Sequence, residues 1–210
     1  MRYCFLFIVF FVCNFNLILG NDYIVKSYDN HNLHGTLIES ESLNSTLAVI
    51  IAGSGPTDRD GNNINLKGNY LMMLAEGLHE NGISTFRYDK RGVGKSLGDI
   101  TSADEIKFTD YINDAISIIN HFRETKKYKR ITVIGHSEGA LIGMIASRSI
   151  ADSFISIAGA GEDYLTLIER QLSIQPEYIK SMSTPILKQL KNKKPVDSVP
   201  PLLNSLFRSD

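Results

Sequence analysis

Gly135-His136-Ser137-Glu138-Gly139 sets a serine between two glycines. A serine so flanked sits on a sharp strand-to-helix turn that pushes its hydroxyl into a cleft; the glycines are needed because a Cβ there would collide with neighbouring backbone. The flanks fit this. Arg130-Ile131-Thr132-Val133-Ile134 is a β-branched run, and Ala140-Leu141-Ile142-Gly143-Met144-Ile145-Ala146 has the composition of a buried helix. The chemistry predicted is nucleophilic, with Ser137 attacking an acyl carbon and carrying the acyl group as a covalent intermediate.

Such a reaction puts negative charge on the carbonyl oxygen, and backbone N–H groups must meet it. The apolar strand ending at Ile51 runs into Ala52-Gly53-Ser54-Gly55-Pro56-Thr57-Asp58-Arg59-Asp60-Gly61. A glycine-rich turn in that place presents bare backbone, so the N–H of Ser54 and that of Glu138, the residue after the nucleophile, are the candidate oxyanion donors. Ser137 also needs a histidine as base and a carboxylate to orient it, in the chain order serine, acid, histidine. The five histidines are His31, His34, His79, His121 and His136, and none follows the serine. The expectation is that roughly 60 residues or more, two strand units, are missing from a complete enzyme. Glu162 and Asp163 are conceivable substitutes for the acid; no histidine is a substitute for the base.

Two other patterns lead nowhere. Asp89-Lys90-Arg91-Gly92-Val93-Gly94-Lys95-Ser96 contains Gly-Lys-Ser, but a phosphate loop needs glycine where Asp89 stands. A tight strand-exit loop with Asp89 and Arg91 in structural ion pairs is the better reading. Asp58 and Asp60 begin like a calcium loop, yet the next glycine is misplaced and no terminal glutamate follows. No metal and no cofactor are expected.

These groups require a framework. Tyr23–Tyr28 and Leu33–Ile38 read as strands joined by a turn at Asp29-Asn30, an opening antiparallel hairpin. Leu47–Ile51 is apolar throughout, as a central parallel strand should be. Leu71, Leu74, Ala75 and Leu78 mark a helix ended by Asn81-Gly82, and Thr85–Tyr88 is the next strand. Ser102 with Glu105 has the form of a capping box opening the longest helix, whose stripe is Phe108, Tyr111, Ile112, Ala115, Ile116, Ile119 and Phe122. Phe154–Ala158 is a sixth strand. Alternating strands and helices specify a parallel sheet with helices on both faces. From Glu162 the chain turns to lysine-rich helical stretches, which Pro176, Pro185, Pro195, Pro200 and Pro201 are expected to break into short pieces, either a lid over the serine or surface helices.

A chain of 210 residues with net charge −1 gives no field suited to nucleic acid or an acidic membrane surface. Met1-Arg2 and the apolar run Tyr3–Leu19 read as a secretory signal peptide cleaved after Gly20, the alternative being an N-terminal membrane anchor. Both cysteines, Cys4 and Cys13, lie in that segment, so the mature chain is expected to be exported and without disulfides.

Taken together, the leading hairpin, Ala-Gly-Ser-Gly-Pro-Thr-Asp-Arg-Asp-Gly, Arg-Tyr-Asp-Lys-Arg-Gly-Val-Gly-Lys-Ser and Gly-His-Ser-Glu-Gly resemble the α/β-hydrolase superfamily. More narrowly, they resemble bacterial carboxylesterases related to the serine aminopeptidase and prolyl oligopeptidase catalytic domains. The resemblance covers Tyr23 to about Ala160. It implies an α/β fold with a mostly parallel sheet, about six strands of the family's eight being present here. It also implies Ser137 as nucleophile, Ser54 and Glu138 as oxyanion donors, and a carboxylic ester as substrate. The expected organisation is a leader over 1–20, a hydrolase core over 21–161 and a helical lid segment over 162–210. The expected partner is a small-molecule ester or a peptide, with no nucleic acid and no membrane partner beyond the export signal. A serine peptidase of the same fold, or a non-catalytic binding module lacking the proton shuttle, are the rival readings.

Overall fold

The computed structural model describes residues 20–41, 45–102, 105–196, 198–203 and 207. The apolar run ending at Leu19, with Cys4 and Cys13, lies outside them. No helix among the described residues is long and apolar enough to cross a membrane.

The central strand shows how the layers arise. β3 (Thr46–Ile51) points Leu47, Val49 and Ile51 into one apolar cluster, and Ala48 and Ile50, followed by Ala52, into another. Side chains alternate across a strand, so a strand apolar on both faces must be covered on both. β1 (Asn21–Lys26) and β2 (Asn32–Ile38) form the antiparallel hairpin, turned through Asn30 at φ 69°. β6 (Ser84–Tyr88), β7 (Arg130–His136) and β8 (Ser153–Ile157) complete a sheet of order β1-β2-β6-β3-β7-β8. β2 pairs antiparallel with β6, and from β6 through β3 and β7 to β8 every pairing is parallel. All six expected strands are present. A two-stranded hairpin of β4 (Asn62–Asn63) and β5 (Leu66–Lys67) was not expected; Asn62 holds it, donating from Nδ2 to Asn69 Oδ1 and accepting from the Asn69 N–H.

One face is covered by α1 (Tyr70–Glu80), whose Leu71 and Ala75 are buried against Ala48, Ile50 and Ile134. The other face carries the larger core, formed by α2 (Phe108–Glu124) and α3 (Glu138–Ala146) against the sheet. Tyr111, Ala115, Ile118, Ile119 and Phe122 of α2 are buried there beside Phe86 and Leu33. Truncating a side chain as deeply buried as Phe86 to alanine costs about 3–5 kcal/mol.

Two expectations are corrected. α2 starts at Phe108, not near Ser102. Glu105 does accept from the Ser102 N–H, but within a separate turn, while Asp110 accepts from the Lys107 N–H at 2.8 Å and caps the helix itself. Two successive x-x-acid patterns compete, and the one adjoining the apolar stripe opens the helix. Nor does Pro185 break the chain: α5 (Glu177–Lys191) runs through it. The missing N–H and the ring clash cost helix stability, but Ile179 and Ile186 on either side are buried with Ile168 and Leu172 of α4 (Tyr164–Ser173), and that packing holds the helix together. α4 and α5 thus form a helical pair with a cluster of their own, which Leu203 and Phe207 join.

Candidate active site

Between the last residue of β7, His136, and the first of α3, Glu138, lies only Ser137. A strand reverses into a helix across one residue, and Ser137 accordingly stands at φ 54°, ψ −118°, where a side chain other than glycine's is strained by about 1–3 kcal/mol. The Ser137 N–H donates to Ile157 O at 2.9 Å, and its carbonyl accepts from the Ala140 N–H at 2.9 Å, so neighbouring elements pin the turn. The glycines are there for contact. A Cβ at Gly135 would lie 2.1 Å from Gly139 O, and one at Gly139 would lie 2.5 Å from the carbonyl oxygens of Ile51 and Ala52.

The loop leaving β3 abuts this turn. A Cβ at Gly53 would stand 3.3 Å from Ser137 Cβ and 3.1 Å from His136 Nδ1, so the backbone leading into Ser54 passes directly beside the serine. The Glu138 N–H, at the start of α3, is one of the four that a helix leaves without an intrahelical acceptor.

A third loop, after β6, ties the first two together with charge. Lys90, 1% exposed, donates from Nζ to Gly53 O at 2.6 Å and to Glu138 Oε1 at 2.9 Å, with its ammonium 5.0 Å from the Tyr111 ring centre. Asp89 accepts from the Arg59 N–H and Nη2, both at 2.8 Å, and from the Lys95 N–H at 3.0 Å. Arg91 donates to both Asp114 oxygens, and Asp114 also accepts from Ser27. A second fork joins Arg91 to Asp29, holding the Asp29 carboxyl down to about 2. Of these residues, sequence reading had placed Asp89 and Arg91 in ion pairs but had given Lys90 no role.

His136 turns its ring toward Tyr70, with Nδ1 3.5 Å from the phenol oxygen. Burial pushes its pKa below the ordinary histidine value. Burial raises the Tyr70 phenol, and the Asp58 charge adds to it. Among the described residues no hydrogen bond joins Ser137 Oγ to a histidine or carboxylate. The conceivable substitute acids are engaged elsewhere: Glu162 pairs with Arg170 at 2.6 Å, and Asp163 caps α4 by accepting from the Thr166 N–H. Asp58 accepts from the N–H groups of Asp60 and Asn62, closing a turn. A cleft of about 620 Å³ lies between the β4–β5 hairpin and Gly92–Gly94, and neither Ser137, Ser54 nor Glu138 lines it.

The sequence matches the serine aminopeptidase S33 family over residues 67–188. It is 32% identical over 158 residues to esterase EstD of Thermotoga maritima, a match that takes in 70% of this chain and 35% of that protein. In fold it is similar to the Pyrococcus furiosus esterase Pf2001 (TM-score 0.58, 21% identity, covering 91% of this chain and 68% of that one). It is likewise similar to the α/β hydrolase GrgF from Penicillium (TM-score 0.59, 18% identity, covering 90% and 62%). The chain therefore belongs to the serine aminopeptidase S33 family of hydrolases, on the α/β-hydrolase fold.

Proposed function

We propose that the protein hydrolyses carboxylic esters through an acyl-enzyme on Ser137. The observation that carries this is the strained one-residue turn at Ser137, held by glycines whose positions admit no Cβ, with the Gly53–Ser54 backbone alongside. In this reading Ser137 Oγ bonds to the acyl carbon as its proton passes to a base. The carbon–oxygen bond to the alkoxy group then breaks, and the alcohol leaves with that proton; water next attacks the acyl carbon, releasing the acid and restoring Ser137. The N–H groups of Ser54 and Glu138 meet the oxyanion in both steps. A histidine and an orienting carboxylate complete the mechanism, and no described residue takes either part.

An ester fits better than a peptide on one observation: the curated relative matched over most of this chain is an esterase. The test is turnover of p-nitrophenyl acetate by the full-length protein. Ser137→Ala should lose on the order of 10⁶ in kcat, and a fluorophosphonate should form its adduct on Ser137. Retention of activity within tenfold in Ser137→Ala would remove the nucleophile from this turn, and faster turnover of an aminoacyl p-nitroanilide than of the ester would replace esterase by peptidase. Export belongs to the same proposal, supported by the charged start and apolar run, and N-terminal sequencing of the mature protein should begin near Asn21.

A further inference from the structure

We propose that Lys90 is a positioning residue of the oxyanion hole, acting through the peptide group that joins Gly53 to Ser54. The inference rests on the ester-hydrolysis reading above. A trans peptide is one rigid plane, with its C=O and N–H pointing in opposite directions; no peptide among the described residues is cis. The oxygen Lys90 holds at 2.6 Å, Gly53 O, and the N–H of Ser54 are the two ends of a single such plane. Fixing the oxygen therefore aims the N–H. It also strengthens that N–H as a donor, because a cation on the carbonyl draws electron density from the nitrogen, and successive hydrogen bonds polarise one another by perhaps 10–30% each.

The other arm of Lys90 reaches the second donor. Nζ binds Glu138 Oε1 at 2.9 Å, and Glu138 is the residue whose own N–H is the second oxyanion group. One ammonium thus references both donors to a common point. Stability alone does not account for it: a buried ion pair is often no better than apolar residues of the same volume. What the pair supplies is direction, and misplacement of a catalytic group by about 1 Å costs roughly 10²-fold in rate.

The experiment uses the full-length protein with p-nitrophenyl acetate, measuring kcat, KM and the urea midpoint. Lys90→Met should lower kcat about 10- to 100-fold, somewhat less than the loss of an oxyanion donor itself, with KM within about threefold. Because Lys90→Met leaves Glu138 unpaired and destabilises the fold, two further variants separate the roles. K90M/E138L removes both charges; its urea midpoint should return to that of the parent while kcat stays low. Lys90→Gln keeps a neutral donor on a stem one bond shorter and should fall between. Recovery of kcat to within twofold in both K90M/E138L and K90Q would make Lys90 a structural tie and overturn the proposal. Loss of KM alone would do the same. Ser137→Ala distinguishes the levels: if it retains hydrolysis, the ester reading falls and this inference with it; if it is silent while the Lys90 variants match the parent, only the role of Lys90 falls.

Discussion

In the loop after β6 the charges are buried, whereas along Glu162–Lys194 they lie on the surface. Arg91 and Asp114 meet with side chains 8% and 1% exposed, while Arg170, paired with Glu162, is 66% exposed. The first set ties the β6 loop to the β3 exit, the opening hairpin, α2 and α3 through Arg59, Asp29, Asp114 and Glu138. The second lies on or beside a helical pair whose apolar stripe packs on itself, as in Glu162–Arg170 and Glu169–Lys191. Buried pairs are poor sources of stability but fix geometry, and breaking one is costly; exposed pairs are screened and contribute about 0–1 kcal/mol. The buried set is therefore built for constancy of backbone position.

The contrast breaks most visibly at Asp114. Asp114→Ala leaves Arg91 buried with half its partners gone and should destabilise by about 3–5 kcal/mol in urea unfolding; a loss under 1 kcal/mol would mean that the buried set is no firmer than the surface one. Gly139→Ala comes next, since its Cβ would press on backbone oxygens of Ile51 and Ala52 that cannot yield without moving β3. About 1–3 kcal/mol is expected, with ester turnover falling further than the stability loss alone accounts for. Ser137→Gly should move the other way. Relief of a positive φ raises stability by about 1 kcal/mol while turnover disappears, so a thermal melt and an activity assay should diverge in sign.

Acid sharpens the same line. The Asp29 carboxyl is held at about 2 by the Arg91 guanidinium, against about 4 in an unfolded chain, so its contribution is present above about pH 4 and fades as pH falls toward 2. Asp29→Asn should flatten that part of the stability profile, and an unchanged acid limb would show the fork to be screened out. Smallest of all, Arg170→Ala should shift stability by under about 1 kcal/mol, and by less still in high salt.

The turn at Ser137 was legible because its signal is local: two glycines, a β-branched run before and an alanine-rich run after fall within seventeen residues (130–146). The strands were legible for the same reason, each being a short apolar segment between turn residues. Lys90 was not. Its partners Gly53 and Glu138 lie 37 and 48 residues away, and only the side-by-side order β6-β3-β7 brings the three together. The α2 start and the continuity of α5 through Pro185 were misjudged because local capping and breaking signals were weighed without the packing that decides between them.

That strand order also has a cost in time. β3 cannot complete its parallel pairing until β7 exists, and the register joins Thr46 to Arg130. At a synthesis rate of about 5–20 residues per second, the wait is roughly 4–17 seconds. Through that interval a strand apolar on both faces emerges from the ribosome with no partner on its β7 side. Non-local parallel pairing is slow even once the chain is complete. The segment that later seats Ser54 thus spends that interval with one strand edge open.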